Sequence, residues 1–587
     1  MKDNYYEEEL RYLLDVGKEF SKAHPERARY LNLDNVRARD PHVERLLEAF
    51  AFLTGRIRRK LDDDLPELSQ SLMTLLWPHY LRPIPATAML EFRPVEGMVE
   101  GTQTIPRGTE VDSDPVAGGR PCRFRTCYDV QIQPIAISEA SLTAGSSGAP
   151  SLTLRFQVEK GVDLSKLDLS RLRLYLHGDP ATAYAAHRLL RRQVESAVVR
   201  ADPAGSGSQV LQAKVDVKMG GFEPDEGLVP YPDQSFPGYR LLQEYFYFPE
   251  KFLFVDLCNL GALARLGTVS EFQVEFVLKS SAPSGLRLSR DNFRTYCTPI
   301  VNLFRRDGEP VRVDRLKTEY PVVADFDVEE KQFEVFSVDS VEGITQGTGE
   351  RRKYEPFLSF KRGAESDTDE SQEAAFFHVS RRTSPWGGWD TYISFLTRDG
   401  REAVRESETV SLDLTCTNAT LAKELHIGDI RHPTQGVPEF VRFSNITQPT
   451  VPLWPVIGEA VEWQFISHLA LNFLSLTNAE ALQEMLRTYD FGKTEANQRR
   501  IVGIRKVSSS PKESLVHGAP VRGTAIGLEL DETCFADEGD VELFSSVLNE
   551  FFGLYSSINS FTQLSVECIP SGTLLQWPPT IGRQFII

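Results

Sequence analysis

The sequence has few cysteines, no long apolar run and no excess of positive charge. Its seven cysteines are an odd number spread over 587 residues, which argues against a disulfide framework and agrees with a reducing compartment. Cys122 and Cys127 form the one close pair, and neither a second pair nor histidines follow at zinc-ligand spacing. We therefore predict two ordinary half-buried thiols there, and neither a metal nor a cofactor.

Charge and hydropathy exclude two kinds of partner. The net charge of -18 repels phosphate backbones, and no stretch combines lysine and arginine with interleaved aromatic residues. Nucleic acid is therefore not expected. The polar, acidic start MKDNYYEEEL is unlike a secretory signal, and no apolar run approaches the roughly 18 residues of a membrane span. These features predict a cytoplasmic protein without direct membrane insertion.

Short catalytic motifs are also missing. The sequence contains no phosphate-binding loop, no dinucleotide-binding glycine motif, no HExxH zinc motif and no GxSxG nucleophile turn. Catalysis can also be assembled from scattered residues, so each polar cluster has to be weighed against a structural role. From these comparisons we predict that the protein is not an enzyme and has no catalytic, cofactor-binding or metal-binding residues.

Two groups of polar residues, one of three aspartates and one of a histidine and an aspartate, are candidates for a site. Three adjacent aspartates, at positions 62 to 64, have the oxygen ligands of a hard cation, but neighbouring side chains on a helix point in different directions. His177 lies two residues before Asp179, which could tune its imidazole, but Gly-Asp-Pro after a strand is common turn chemistry. We favour a solvated helix end for the first cluster and a turn for the second.

Histidines and tryptophans give two further candidates. His24, His42 and His79 lie in one helical segment, but their spacing does not bring them together, and we assign no site to them. Trp386 and Trp389 enclose two glycines in SPWGGWD, a pattern that could contact a partner or a sugar. We favour the interpretation that the two rings pack under their own hairpin.

The composition is that of a folded protein with several domains. Hydrophobic residues make up 41% of the chain and aromatic residues 10%, which excludes disorder over most of the length. A single hydrophobic core stops growing at roughly 250 to 300 residues. We therefore expect three or four domains.

Helical spacing dominates the beginning of the chain. Apolar residues recur from Tyr6 to Phe20 at steps of three and four, and again from Val43 to Leu61 after Asp40 and Pro41, which are typical of a helix start. A third helix is predicted to end at Trp77 before Pro78, and the proline-rich residues 77–85 predict a hinge. The apolar stripes suit an internal core or a partner helix equally well.

Alternating apolar residues predict strands from about residue 86 to 455. The clearest alternations begin at Leu152, Leu172, Phe272 and Val410. Helical spacing returns at Phe465, Leu469 and Phe473, at Leu482, Met485 and Leu486, and from Val541 to Tyr555, with a strand at 523–530 between the last two helices. The C-terminal region is therefore predicted to be α+β.

The predicted fold class is α+β and multidomain, with β-rich, sandwich-like middle domains. We place an N-terminal helical segment at residues 1–85 and a first β-rich domain at 86–300. A second β-rich domain follows at 301–455, and an α+β domain at 456–587. The limit near residue 300 is set only by the start of a new strand series after CTPIVNLF.

Ordered blocks along nearly the whole sequence resemble the TssF family of type VI secretion baseplate proteins, also called VasA or ImpG. The blocks are YYEEELRYLLDVGKEFSKAHPERARYL, DPHVERLLEAFAFLTGRIRRKLDDDLPEL, LWPHYLRPIP, RGTEVDSDP, CRFRTCYDV, LRLYLHGD, FPEKFLFVDL, CTPIVNLF, CTNATLAKEL, ISHLALNFLSL, RGTAIGLELD and NEFFGLYSSINSFTQL.

The resemblance implies a structural protein built like the wedge proteins of contractile phage baseplates. Two copies would associate with one TssG, and TssK and the sheath-initiating TssE would complete a wedge. Six wedges would surround the VgrG spike below a membrane complex, at the inner membrane, before the Hcp tube and its sheath polymerise. The resemblance supplies no individual interface residues. We expect contacts with TssG or the second copy before residue 85, and contacts between wedges at the C-terminal helices.

Two other functions remain as alternatives. A tail-associated lytic hydrolase would need a polar pocket with paired carboxylates at a workable separation and a carboxyl group of raised pKa. A wedge protein of a contractile phage-like particle would use the same scaffold outside type VI secretion.

Overall fold

The computed structural model divides into two compact units, one formed by Met1–Leu76 with Ile457–Ile466 and one by Trp77–Val456 with Ser467–Ile587. We refer to them as unit 1 and unit 2. The structure describes the following residues: 6, 10–13, 16, 42–43, 45–55, 73–74, 78–116, 119–143, 150–201, 211–232, 235–283, 285–313, 317–324, 333–345, 349–357, 375–384, 388–397, 408–455, 478–516, 519–556 and 560–582.

In unit 1, the described residues before position 75 are helical. In unit 2, the described α-helices are α1 (Pro180–Arg188), α2 (Pro237–Tyr247), α3 (Ala479–Tyr489), α4 (Glu495–Val502) and α5 (Glu538–Leu554), and a π-helical turn at Leu189–Gln193 follows α1 directly.

The described strands, numbered in chain order, are β1 (Thr87–Pro94), β2 (Gln103–Ile105), β3 (Glu110–Pro115), β4 (Pro121–Thr126), β5 (Val130–Ile132), β6 (Ile135–Thr143), β7 (Ser151–Val158), β8 (Arg171–Leu176), β9 (Val194–Ala201), β10 (Leu211–Met219), β11 (Phe254–Cys258), β12 (Glu271–Leu278), β13 (Phe293–Thr295), β14 (Cys297–Val301), β15 (Phe304–Asp307), β16 (Val311–Val313), β17 (Tyr320–Pro321), β18 (Glu334–Thr345), β19 (Arg351–Lys353), β20 (Glu355–Pro356), β21 (Ala375–Thr383), β22 (Trp389–Thr397), β23 (Glu408–Thr417), β24 (Ile430–Pro433), β25 (Val441–Asn445), β26 (Ile504–Val516), β27 (Ala519–Asp531), β28 (Ser560–Ile569), β29 (Leu574–Gln576) and β30 (Thr580–Ile581).

A six-stranded sheet joins distant parts of the sequence, in the order β24-β3-β4-β14-β1-β25. Strand β1, next to the edge strand β25, is antiparallel to both neighbours, with Leu90 opposite Thr298 on one side and Asn445 on the other. The sheet therefore takes strands from both of the predicted β-rich segments. The short pair β2-β5 adds Ile105 and Ile132 to the same apolar core. The domain limits at residues 300 and 455 stay predictions.

An eight-stranded sheet, in the order β13-β8-β11-β10-β9-β12-β7-β6, lies between β1 and β14 in the sequence. Its strands alternate as predicted, and Leu172, Leu174 and Leu176 of β8 are buried. Phe156 on β7 lies opposite Phe272 on β12, and their rings stack at 4.9 Å. Such aromatic cross-strand pairs stabilise a sheet and fix its register.

Two further sheets share one core. The five-stranded sheet has the order β15-β23-β18-β19, with β16 also on β23, and the four-stranded sheet has the order β17-β22-β21-β20. Apolar residues of both sheets, such as Val341, Leu412, Phe377 and Ile393, form a single buried cluster. This is the sandwich-like packing that the alternating pattern predicts.

The C-terminal region is α+β, as predicted. Strands β26-β27-β28-β29 form a sheet, and β30 also pairs with β28. Strands β27 and β28 are parallel, and a parallel pair needs a crossover connection, which α5 supplies here. The predicted strand at 523–530 lies within β27, and the predicted helix at Leu482 is α3. The helix predicted at Phe465, Leu469 and Phe473 lies outside the described residues.

Two features of the chain differ from what the local patterns indicate. Helices α1 and α2, which the sequence analysis does not identify, lie within the predicted β-rich region. The hinge predicted at 77–85 is instead packed inside unit 2 over its described residues 78–85, where His79, Tyr80, Leu81 and Ile84 are buried. Proline-rich composition does not distinguish a free connector from one that crosses a core.

Candidate assembly surfaces

The described helix of unit 1 exposes an apolar stripe. Leu46, Phe50 and Leu53 are spaced at i, i+4 and i+7, which places them on one face. Their exposed fractions are 72%, 55% and 56%. Ala51 and Gly55 of the same helix are buried. The predicted helix is therefore confirmed over its described residues, and its apolar stripe faces outward in the single chain.

Exposing these side chains to water is unfavourable. Full burial of a leucine or phenylalanine side chain contributes roughly 1.5–3 kcal/mol. Singly exposed apolar residues are common on proteins, whereas a contiguous patch is typical of an interaction surface. The stripe at Leu46, Phe50 and Leu53 is therefore the strongest candidate for an assembly contact among the described residues of unit 1.

Helix α3 presents a polar outer face. It buries Leu482, Met485 and Leu486, while Glu480 and Glu484 are exposed. Its start is fixed by Asn478, whose side chain accepts a hydrogen bond from the Glu480 amide at 3.0 Å. A contact at this helix would have to use charge rather than apolar area.

The helix predicted from Val541 to Tyr555 is confirmed as α5, but it is buried on all faces, whereas its spacing indicated an amphipathic helix. Its side chains from Gly539 to Asn549 are buried on all faces, as are Phe551 and Phe552. Helices α1 and α2 and strand β28 pack around it. A Cβ atom on Gly539 would lie 2.6 Å from the Tyr184 carbonyl group, so glycine permits the close approach of α1. This helix is a core element and offers no free apolar face.

A buried ion pair also holds α5. Glu542 is fully buried, and its Oε1 atom accepts hydrogen bonds from Arg192 at 2.9 Å and lies 3.2 Å from Arg191. Arg192 also stacks over Trp577 at 4.2 Å. The arginines come from the π-helical turn after α1. The local sequence RRQ does not indicate that these arginines pair with a carboxylate 350 residues later.

The candidate pair His177 and Asp179 serves the backbone instead. The Asp179 side chain accepts a hydrogen bond from the Thr182 amide at 3.0 Å and caps α1, and this bond lowers the pKa of Asp179. The backbone of His177 exchanges hydrogen bonds with Asn292. The residues we interpret as a turn are therefore a helix start.

The tryptophan motif has one residue in the described part of the chain. Trp386 lies outside the described residues, and Trp389 is 7% exposed at the start of β22. The Trp389 amide donates to Glu334 Oε1 at 2.8 Å. Packing inside the protein is therefore confirmed for Trp389, and an exposed contact point there is not supported.

Cys122 and Cys127 are buried thiols rather than half-buried ones. Burial raises the pKa of each to about 12, so neither is a thiolate at neutral pH. Among the residues that the structure describes, no three histidine, cysteine or carboxylate side chains lie close enough together to hold a metal ion. His24 and the aspartates at 62–64 lie outside this part, His42 is exposed, and His79 is buried.

Two described carboxyl groups have a raised pKa, which is one property that the hydrolase alternative requires. Burial raises the pKa of Glu250 and of Asp537. Asp537, however, caps α5 through the Asp540 amide at 2.8 Å. Neither residue lines the open groove of about 660 Å³ beside Leu190 and Phe222, where the lining carboxylates are Glu223 and Glu550. Within the described helices, no segment is long and apolar enough to cross a membrane.

The chain is similar to one family over almost its whole length. The family model "Type VI secretion system, TssF" matches residues 2–584. The type VI secretion system component TssF1 of Pseudomonas aeruginosa is 30% identical over 626 residues, which cover 99% of this chain and 98% of that protein.

Solved structures give the same result. One chain of the type VI secretion system TssK-TssF-TssG baseplate subcomplex, determined by cryo-electron microscopy, matches with a TM-score of 0.81 at 32% identity. The match covers 92% of this chain and 99% of that one. A chain of the type VI secretion baseplate complex matches with a TM-score of 0.62 at 27% identity, over 99% of both chains.

Proposed function

Because the chain belongs to the TssF family of the type VI secretion system, we propose that it is a non-enzymatic wedge component of the baseplate. The similar solved chains come from a TssK-TssF-TssG subcomplex and from a baseplate complex. By this similarity, TssK and TssG are the proposed partners. The main support from the chain itself is the exposed apolar stripe at Leu46, Phe50 and Leu53.

We assign the stripe to the contact with TssG or with a second copy of this chain. Full burial of an exposed leucine or phenylalanine contributes roughly 1.5–3 kcal/mol, and a partner that covers these three side chains can supply more than half of that for each. A stripe at i, i+4 and i+7 suits a partner helix, because helices pack by placing such rows into each other's grooves. Two copies of this chain per TssG is the proposed stoichiometry.

The wider assembly is proposed on the family resemblance. TssE would complete the wedge, and the wedges would surround VgrG and support polymerisation of the tube and sheath. The baseplate would lie on the cytoplasmic side, docked to the membrane complex at the inner membrane. Energy would be stored and transmitted through packing between subunits rather than spent on bond chemistry.

Co-expression with the candidate TssG, followed by mass measurement of the purified complex, tests this proposal. We expect a stable complex with two copies of this chain per TssG. Leu46→Asp and Phe50→Asp should each weaken it at least about tenfold, because a charge would be desolvated at the contact.

Ile427→Asp is the matched control, since Ile427 is an apolar residue of unit 2 that is 61% exposed. It should leave the complex intact. A chain that ignores TssG would overturn the proposed function. Equal loss with the control variant and the stripe variants would overturn the assignment of the stripe.

A further inference from the structure

Two segments of unit 2 adjoin the two sequence pieces of unit 1. The entry segment, residues 78–85, follows the piece that ends at Leu76, and the exit segment, residues 450–455, precedes the piece that begins at Ile457. The segments are 365 or more residues apart in the sequence, yet they pair in space. The chain thus enters and leaves unit 2 at one place.

The pairing is antiparallel and reciprocal. The Ile84 amide donates to the Leu453 carbonyl at 2.8 Å, and the Leu453 amide donates back to Ile84 at 3.0 Å. Just beyond, the Thr450 amide donates to the Thr87 carbonyl at 2.9 Å, and the Thr87 amide donates to Thr450 Oγ1 at 2.9 Å. If either segment moved away, backbone groups of the other would lose their hydrogen-bond partners.

The entry segment is held by side chains from three directions. The guanidinium group of Arg381 donates to the Leu81 carbonyl and, at 2.5 Å, to the Phe336 carbonyl. The Tyr80 ring meets Phe491 edge-on at 4.9 Å. On another side, the ring of His79 lies 4.5 Å from that of Tyr231.

The exit segment is held by a buried carboxylate. Trp454 Nε1 lies 2.8 and 2.9 Å from the two carboxylate oxygens of Glu334, to which it donates. Glu334 is 3% exposed and also accepts from the Trp389 amide. A buried carboxylate that lost the indole donor would lose part of its compensation for desolvation.

The two anchors lie on strands of the two sheets that share one core. Glu334 and Phe336 lie on β18, and Arg381 and Trp389 lie on the hairpin β21-β22. The Arg381 guanidinium group also lies over the Trp389 ring at 5.7 Å. Trp389 therefore contacts both anchors, since its amide donates to Glu334 and its ring lies beside Arg381.

We propose that the entry segment, the exit segment, Glu334 and Arg381 form one clasp, which holds both connections to unit 1 and opens as a single cooperative unit. Small residue-level shifts are amplified when packed elements have two discrete arrangements. The clasp lies within unit 2 and does not depend on the proposed function.

Hydrogen exchange of the isolated full chain tests the clasp without any partner. Trp454→Phe removes the indole donor to Glu334 and directly touches only the exit segment. Arg381→Met removes the donors to Leu81 and to Phe336 on β18, and of the two segments it directly touches only the entry segment. For each variant we expect about tenfold faster exchange in peptides from both segments, 78–90 and 446–455.

Trp577→Phe is the matched control, because Trp577 is buried in the C-terminal region, where Arg192 stacks on it. It should leave both segments at their original protection. Faster exchange in one segment alone, after either clasp substitution, would overturn the proposal.

Protection of β26, β27 and β28 serves as the folding check. If Arg381→Met also lowers protection in these three strands, that variant has disturbed the whole fold. The exchange of Trp454→Phe then tests the proposal by itself. If the chain does not bind TssG but both segments exchange as expected in the variants, the result would count against the proposed function and not against the clasp.

Discussion

The unit 1 helix that contains residues 45–55 and helix α5 of unit 2 both carry large apolar side chains but have opposite surroundings. Phe50 is 55% exposed, whereas Phe551 is fully buried. Helix α5 is covered by α1, α2 and β28, whereas the outer stripe of the first helix faces solvent in the single chain. The comparison separates apolar area that stabilises the fold from apolar area that remains for assembly.

The largest expected effect is on the core side of this comparison. Phe551→Ala should lower the free energy of unfolding by about 3–5 kcal/mol, through lost transfer energy and the cavity left behind. The ring of Phe551 lies 6.1 Å from that of Phe236 and 5.1 Å from that of Tyr555. Denaturant unfolding of the purified chain measures this effect. A loss below about 1 kcal/mol would mean that α5 is not a core element.

The next effect concerns the ion pair that holds α5. Glu542→Gln keeps the shape but removes the charge beside Arg191 and Arg192, whose side chains are 20% and 26% exposed. We expect about 2–3 kcal/mol of destabilisation, less than for a fully buried pair because both arginines reach solvent. Denaturant unfolding measures it. Glu480→Gln on the exposed face of α3 is the control and should change stability by less than about 0.5 kcal/mol.

Histidines in unit 2 should make stability depend on pH. Burial lowers the pKa of His79 and of His187 to about 3, with smaller contributions from Arg82 and Arg191. Below the ordinary pKa of 6.5 the unfolded chain takes up protons that the folded chain does not. The free energy of unfolding should therefore fall as the pH drops from 6.5 towards 3, by up to about 1.4 kcal/mol per pH unit per histidine.

Denaturant midpoints measured between pH 7.5 and pH 4.5 test this dependence. His187→Phe should reduce the slope below pH 6.5 and leave the slope above pH 7 unchanged. If the wild-type and variant slopes coincide throughout, His187 is not kept neutral by burial.

The smallest expected effect is on the assembly side. Phe50→Ala should change the stability of the isolated chain by no more than about 0.5 kcal/mol, because its side chain is already more than half exposed. The same substitution should weaken the complex with TssG about tenfold. Calorimetry of the chain alone and with TssG separates the two. If Phe50→Ala destabilised the chain as much as Phe551→Ala does, Phe50 would belong to a core, and the two helices would not differ in the way described above.

Local patterns predict strands well in this protein and helices less well. The alternations at Leu172, Phe272 and Val410 fall in β8, β12 and β23, because a strand with one buried face must alternate. Helix α1 was missed although Asp179 and Pro180 carry the same start signal as Asp40 and Pro41. Helix α1 packs against α5, and its buried residues include Ala183, Ala186 and His187, which do not form the strongly apolar stripe that helical periodicity detects.

The amino-acid sequence by itself determined the β-rich multidomain fold class, the strands with alternating burial, and the family, since these depend on local periodicity and on ordered blocks. Only the tertiary structure decided which apolar helix is a core and which faces outward, because burial depends on what packs against a face. Tertiary structure also decided that residues 78–85 are clasped rather than hinged. Leu453 and Arg381 bind the segment 78–85, and Glu334 binds Trp454 of the segment that pairs with it. These partners are distant in the sequence, so no local pattern could predict the contacts.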